Sequence, residues 1–291
     1  MADKDDIIHN LDESASPMEK QLFFQTFARK IRENILYMTH RANASHIGSC
    51  FSIVEILAVL YGEILRVDPK QPDWNGRDRV VLSKGHAAAA VYSTLAERGF
   101  FPRHWLDTYC NNESPLGGHI SSTVPGVEVS SGSLGHGLSI GCGMALSAKL
   151  HGPDYRVFVI ASDGECDEGS TWESVLFAPY HHLDNLTAII DYNKIQSLDF
   201  VREVIDLEPF KEKWVSFGWA VQEIDGHDFG QIEETLRKLP FVPGKPNCII
   251  AHTVKGKGVS FMENQVAWHY KSPNKEQLAV ALREIGAEHE E

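Results

Sequence analysis

Over residues 19–40 apolar side chains return every three or four positions. Leu22, Phe23, Phe27, Ile31, Ile35 and Met38 fall on one face with polar residues between them, a spacing that predicts an amphipathic helix. Residues 53–65 predict a second helix, and residues 87–98 a third that stops at Gly99. Residues 134–150 mix Gly, Ala and Leu at helical spacing and are closed by Gly152-Pro153, while 170–181 and 229–238 complete the helical set. Short apolar runs lie between these segments. Residues 79–82, 156–161 and 185–191 read as strands, and the last two lack polar alternation, as expected where both faces of a sheet are covered. Residues 220–224 and 247–253 fit two more strands. Strands alternating with helices of this length imply βαβ crossovers, hence an α/β fold whose mostly parallel, twisted sheet carries helices on both faces. With no linker-like stretch and no internal repeat, the reading is a flexible segment over residues 1–18 followed by one domain over 19–291. The arm after Lys255 is expected to be less regular.

Composition narrows the partners. The chain is 43% hydrophobic and 23% charged, enough apolar material for a sizeable core. A net charge of −13 disfavours nucleic acid and anionic membranes, both of which require clustered Lys and Arg. An anionic ligand then needs local backbone dipoles, histidines or a metal to attract it. The five cysteines are widely spaced and form no CxxC, so they read as reduced thiols. The acidic N-terminus precedes no apolar signal region, and no apolar run approaches the ~18 residues of a membrane helix. A cytoplasmic location is expected.

The densest chemistry stands at two strand ends. Ser162-Asp163-Gly164-Glu165 follows one central strand, and Asp191-Tyr192-Asn193-Lys194-Ile195 follows the next. Asp163 and Asn193 are thirty positions apart, one βαβ unit, so both emerge at the carboxyl edge where open α/β sheets bind ligands. An isolated Asp-Gly after a strand is commonly only a turn. Here its strand placement and the second amide oxygen favour a site. One carboxylate, one amide oxygen and the Ile195 carbonyl make a hard, incomplete oxygen shell of the kind that holds Mg²⁺ together with ligand phosphates. Gly164 lets the main chain approach those phosphates, and the helix start beyond it offers free N–H groups.

This pattern resembles the thiamine-diphosphate fingerprint, GDG followed some thirty residues later by Asn, with Ser162 in place of the first Gly. From about residue 20 to residue 275 the chain is similar to the N-terminal, diphosphate-binding half of transketolase. The resemblance implies thiamine diphosphate and Mg²⁺ (with Ca²⁺ or Mn²⁺ as substitutes), metal ligands at Asp163, Asn193 and Ile195, and cofactor contacts from Gly164 and Glu165. Gly132-Ser133-Leu134-Gly135 resembles the turn that flanks the thiamine rings, with Ser133 replacing Pro. Glu168, five residues after Asp163, matches a position near a subunit interface. Lys255 matches a family position that reaches the diphosphate, although a solvated loop lysine reads equally well. Ser49 is placed to approach the same group.

Fourteen histidines exceed what function needs. Four stand among small residues or beside Trp, as Ser45-His46-Ile47-Gly48, Lys84-Gly85-His86, Gly117-Gly118-His119 and Trp268-His269. Neutral imidazole binds hydroxyl groups and passes protons near pH 7. All four contexts resemble transketolase positions in the same order. His46 and His269 are implied to face the sugar, and His86 and His119 the cofactor and its substrate. His181-His182 show no ligand spacing for a metal.

Transketolases carry on a second α/β domain the Glu that engages the aminopyrimidine ring and the residues that hold the substrate phosphate. The resemblance stops near the end of the first domain. A separate C-terminal subunit in an α₂β₂ assembly is therefore expected, transferring a two-carbon ketol unit from a ketose phosphate to an aldose phosphate. Four other readings remain: the α subunit of a 2-oxo acid dehydrogenase, a 1-deoxyxylulose-phosphate synthase, a Mg²⁺-dependent phosphohydrolase, and a non-catalytic thiamine-diphosphate-binding interaction protein. The histidine series disfavours the first, the synthase shares more of the pattern but is normally one long chain, the phosphohydrolase leaves Asn193 and the histidine series unexplained, and the last stays open.

Overall fold

The computed structural model describes residue 8, residue 11 and residues 14–287. The apolar runs form five strands, β1 (Arg79–Leu82), β2 (Val157–Ser162), β3 (Leu186–Tyr192), β4 (Ala220–Asp225) and β5 (Asn247–His252). They pair in the order β1-β2-β3-β5-β4, and every pairing is parallel. β2 and β3 are buried at every position, which is why neither alternates. β4 lies at the sheet edge and tolerates the part-exposed Gln222 and the exposed Glu223.

Side chains of a strand point alternately to the two faces, and β2 supplies both. Phe158 and Ile160 enter one hydrophobic core, and Val157, Val159 and Ala161 enter the other. The first face is covered by α1 (Pro17–Ala42), α2 (Ile47–Phe51), α3 (Val54–Val59), α4 (Ala88–Glu97) and, later in the chain, α9 (Phe229–Arg237). The second is covered by α5 (Gly137–His151), α6 (Gly169–Tyr180) and α8 (Phe210–Ser216), with the single turn α7 (Val201–Val204) beside them. The α/β reading therefore holds, and the sheet is parallel throughout.

Local signals set the helix ends. Ser16 and Glu19 form a reciprocal capping box, so α1 starts at Pro17. Its Phe27, Ile31 and Ile35 are fully buried, each contributing roughly 1.5–3 kcal/mol of burial. The segment expected as one helix over 53–65 divides into α3 and a π-helical turn at Leu60–Ile64. The arm beyond Lys255 is more regular than its sequence suggested. After a short 3₁₀ turn at Val266–His269, α10 (Lys275–Glu284) starts on an Asn274/Gln277 capping box and buries Leu278 and Ala281. The expected flexibility of residues 1–18 falls largely on residues 1–7, 9, 10, 12 and 13, which lie outside the described residues. Among the described residues, no helix is long and apolar enough to cross a membrane.

Candidate functional site

A parallel sheet delivers its carboxyl ends to one edge, and four strands here send polar residues to one place. β1 leads to Lys84 and His86, β2 to Asp163, β3 to Asn193 and Ile195, and β5 to Lys255. Ser49, Leu134 and His269 close the other sides of a cleft of about 70 Å³. A bound water needs ~10–15 Å³ on the same measure, so the cleft takes a few small polar groups and an ion, not an entire organic cofactor.

Asp163 is 1% exposed, yet among the described residues no side-chain cation pairs with it. Among the described residues its carboxylate accepts only from the backbone N–H groups of Gly164 (2.7 Å) and Lys194 (2.6 Å). Burial, with Asp191 nearby, pushes this carboxyl up to about 7. Asn193 Oδ1 accepts from Ile195 N–H at 3.0 Å, and the Ile195 carbonyl accepts from Lys255 Nζ at 3.0 Å. A buried carboxylate lacking a cation, an amide oxygen and a carbonyl therefore meet at one cleft, and this donor set fits a hard divalent ion. Among the described residues, no group of three or more His, Cys, Asp or Glu is arranged to hold a metal. An oxygen site completed by a ligand's phosphates is the type these residues can build.

Lys255 supplies the opposite charge. It is 1% exposed, and its Nζ reaches the carbonyls of Ile195 and Gln196 and His269 Nδ1 at 3.0, 3.1 and 2.8 Å. Burial lowers it to about 8. A buried cation holding only neutral acceptors is set to receive an anion, so Lys255 is not a solvated loop lysine. Behind it, Lys84 Nζ contacts Asp191 Oδ2 at 2.5 Å, and both side chains are fully buried. Asp191 also accepts from Ser52 Oγ (2.7 Å), from Asn193 Nδ2 (2.8 Å) and from the Thr253 hydroxyl. Burial opposes its ionisation, but Lys84 and these donors outweigh it and hold the carboxyl below its ordinary value. Sequence reasoning assigned no role to Lys84 or to Asp191 itself. Their pairing spans 107 positions, and no local pattern announces it.

The four singled-out histidines do converge. The His46 ring lies 5.2 Å from that of His86, 5.6 Å from His119 and 5.1 Å from His269, centroid to centroid. His46 takes a left-handed backbone (φ 75°), and its N–H donates to the His269 carbonyl at 2.8 Å. Gly85 permits the approach of the 131–135 turn, because a Cβ there would stand 2.3 Å from the Ser131 carbonyl. Burial, then His119 and Lys255, lowers His46 to about 4. Burial, then Lys255 and His46, lowers His269 to about 3, and burial takes His86 well below its ordinary value. Part-buried His46 and His86 and buried His269 are thus neutral imidazoles at pH 7, able to donate and accept. An unfolded histidine takes up its proton near pH 6.5, whereas folded His46 and His269 resist until about 4 and 3. The unfolded state then binds more protons across that window, so the cluster costs stability as pH falls from about 6.5 towards 4. The melting temperature of the parent chain should drop more over this range than that of a His46→Gln/His269→Gln variant. Equal slopes for the two proteins would refute neutral, desolvated rings at His46 and His269.

The remaining sequence candidates fall into two groups. Gly132, Ser133 and Leu134 form a turn whose Gly132 faces His119 and whose Leu134 enters the cleft. Gly164 lines the cleft beside Gln196. Glu165 does not enter it. Its Oε1 accepts from the Ser83 hydroxyl and from Gly135 N–H at 2.7 Å, and burial raises its carboxyl. The Glu165 side chain therefore braces the 132–135 turn from behind. Glu168 is exposed at the start of α6.

Residues 25–291 match the family described as transketolase, thiamine diphosphate binding domain. Over 258 residues the chain is 43% identical to an apulose-4-phosphate transketolase subunit of Phocaeicola vulgatus, covering 89% of this chain and 92% of that one. A 6-deoxy-6-sulfo-D-fructose transketolase subunit from a Clostridium species is 40% identical over 272 residues, with 93% and 98% covered. Among solved structures, the transketolase of Campylobacter jejuni superposes with a TM-score of 0.86 at 31% identity, covering 91% of this chain and 43% of that one. The likeness thus spans nearly all of the subunit-sized relatives and less than half of the long one.

Proposed function

Since the chain belongs to the transketolase family, as its thiamine-diphosphate-binding subunit, we propose that it grips the diphosphate end of the cofactor through Mg²⁺ and that a second polypeptide supplies the Glu for the aminopyrimidine ring and the residues that hold the substrate phosphate. The observation that carries this reading is the cleft's two buried opposite charges, Asp163 and Lys255, which attract each other across it but, among the described residues, form no direct ion pair with any side chain. Asp163, Asn193 and the Ile195 carbonyl hold the metal, and Lys255, with Ser49, His86 and the Gly164 main chain, holds the phosphates. Gly132, Ser133 and Leu134 flank the thiamine rings, which must lie outside a cleft of about 70 Å³. Bound thiamine diphosphate supplies a stabilised carbon nucleophile and an electron sink for moving a two-carbon ketol unit. Around it, neutral His46 and His269, with His119 beside them, hold the sugar hydroxyls and move protons at their ring nitrogens.

The partner is a C-terminal transketolase chain, and an α₂β₂ assembly in the cytoplasm, with Glu168 near a subunit interface, accommodates both. Support comes from the two relatives named as subunits, whose lengths this chain nearly covers. Their names point to sugars bearing a phosphate or a sulfonate, so the donor is a ketose with an anionic far end, and the pentose phosphates are one case among several. A 2-oxo acid dehydrogenase is set aside by the family match.

Co-expression with a C-terminal transketolase chain, followed by a donor and acceptor screen, tests the proposal. The mixture should turn over at roughly 1–10³ s⁻¹, and this chain alone with thiamine diphosphate and Mg²⁺ should not. Ordinary turnover by the single chain would sink the two-chain reading.

A further inference from the structure

His227 lies outside the cleft and outside the motifs that mark it, yet it touches the loop that carries Lys255. It follows β4, and its N–H donates to Asp225 Oδ1 at 2.9 Å. Val254 N–H donates to its Nε2 at 2.8 Å. A backbone N–H can only donate, so Nε2 must be the bare nitrogen and Nδ1 the protonated one. That Nδ1 lies 3.0 Å from Glu55 Oε2 on α3, which accepts its proton. The other Glu55 oxygen accepts from Arg32 Nη2 at 2.6 Å, and Arg32 Nε donates to the Lys257 carbonyl at 3.0 Å. Glu55 and Arg32 are both buried. Burial works against the Glu55 charge, but Arg32 and His227 hold its carboxyl down at about 2.

One chain of three side chains thus grips the same loop at two points, Val254 N–H and Lys257 C=O, and Lys255 stands between them. Within this span the backbone is tied further by Gly256 N–H to the Gly48 carbonyl (3.0 Å) and by Asn264 N–H to the Lys255 carbonyl (3.0 Å). A lysine side chain is a flexible four-carbon stem and places its ammonium no better than its backbone allows. We propose that His227, backed by Glu55 and Arg32, is a positioning residue that sets where Lys255 Nζ meets the diphosphate. The inference rests on the reading of Lys255 as the phosphate-binding cation.

The test uses the full chain with Mg²⁺ and inorganic pyrophosphate as the probe, titrated by calorimetry. Lys255→Ala is the control on the underlying reading. If it binds pyrophosphate as tightly as the parent, or if the parent does not bind, that reading fails and the positioning role with it. Given a loss in Lys255→Ala, His227→Leu should bind about tenfold more weakly, the scale of one lost hydrogen bond to buried backbone. His227→Gln, whose amide can accept from Val254 and donate to Glu55, should recover to within about threefold of the parent. Parent-like affinity in a folded His227→Leu chain, or no recovery in a folded His227→Gln chain, overturns the role. A second measurement does not depend on either variant folding. Imidazole ¹⁵N shifts of His227 in the parent should show a protonated Nδ1 and a bare Nε2, and a protonated Nε2 would remove the bond to Val254 on which the inference stands.

Discussion

Asp163→Ala should abolish Mg²⁺-dependent binding of thiamine diphosphate by the assembled complex, weakening it by more than about a hundredfold. Loss of a group that merely supports a metal ligand already costs ~10–100-fold, and Asp163 is the only carboxylate among the three proposed ligands. Without it an amide and a carbonyl remain, too weak a field to strip Mg²⁺ of its water. The same substitution should do little to the unliganded fold. Asp163 is buried with no directly paired cation among the described residues, and burial, then Asp191, pushes its carboxyl up to about 7 despite Lys255, so the native protein bears this charge at a cost to its own stability. Two backbone N–H groups, of Gly164 and Lys194, lose their acceptor, which offsets part of the gain. The melting temperature in metal-free buffer should therefore stay close to the parent's. The rise produced by saturating Mg²⁺ and thiamine diphosphate, ~2.7 kcal/mol at a hundred times Kd, should vanish. Unchanged affinity in the calorimeter would end the metal assignment. A collapse of the metal-free melting temperature would show that Asp163 is first a structural residue.

Asp163 and Asn193 were legible because parallel topology converts sequence spacing into position. Strands one crossover apart are commonly neighbours, and β2 and β3 are, in register with Ser162 opposite Asp191. The strands themselves were legible because covering both faces removes every polar position. Tertiary partners were not. Glu55 and His227 lie 172 positions apart, and neither segment carries a periodicity that points to the other. The direction of the Glu165 side chain was not legible either, because adjacency to Asp163 says nothing about it. The chain turns sharply through the 3₁₀ segment Gly164–Asp167, and Glu165 points back under Gly135. α10 was a different omission. Its capping box, Asn274 with Gln277, stood in the sequence, but the loop before it hid the start of the helix.

The second large effect concerns a residue that touches neither metal nor phosphate. Asp191→Ala should destabilise the chain by roughly 3–5 kcal/mol, the cost of breaking one side of a buried ion pair. Lys84 would be left fully buried with only the Ser49 carbonyl (2.8 Å) and the Ser52 hydroxyl (3.4 Å). Urea unfolding at neutral pH measures this directly, and a loss under about 1 kcal/mol would mean that water reaches the pair. Stability is only half of the expectation. Asn193 Nδ2 donates to Asp191 Oδ2, and that bond fixes which end of the amide is the oxygen that accepts from Ile195 and faces the cleft. Replacing both partners by apolar residues, Lys84→Met with Asp191→Leu, should restore much of the lost stability, since well-packed apolar pairs often match buried ion pairs. Mg²⁺ affinity should remain at least about tenfold down, because the amide is free to turn. Recovery of both properties in the double variant would reduce Asp191 to a counter-ion for Lys84. Recovery of stability alone separates its two tasks, and makes this fully buried charge pair the support on which the metal ligand is held.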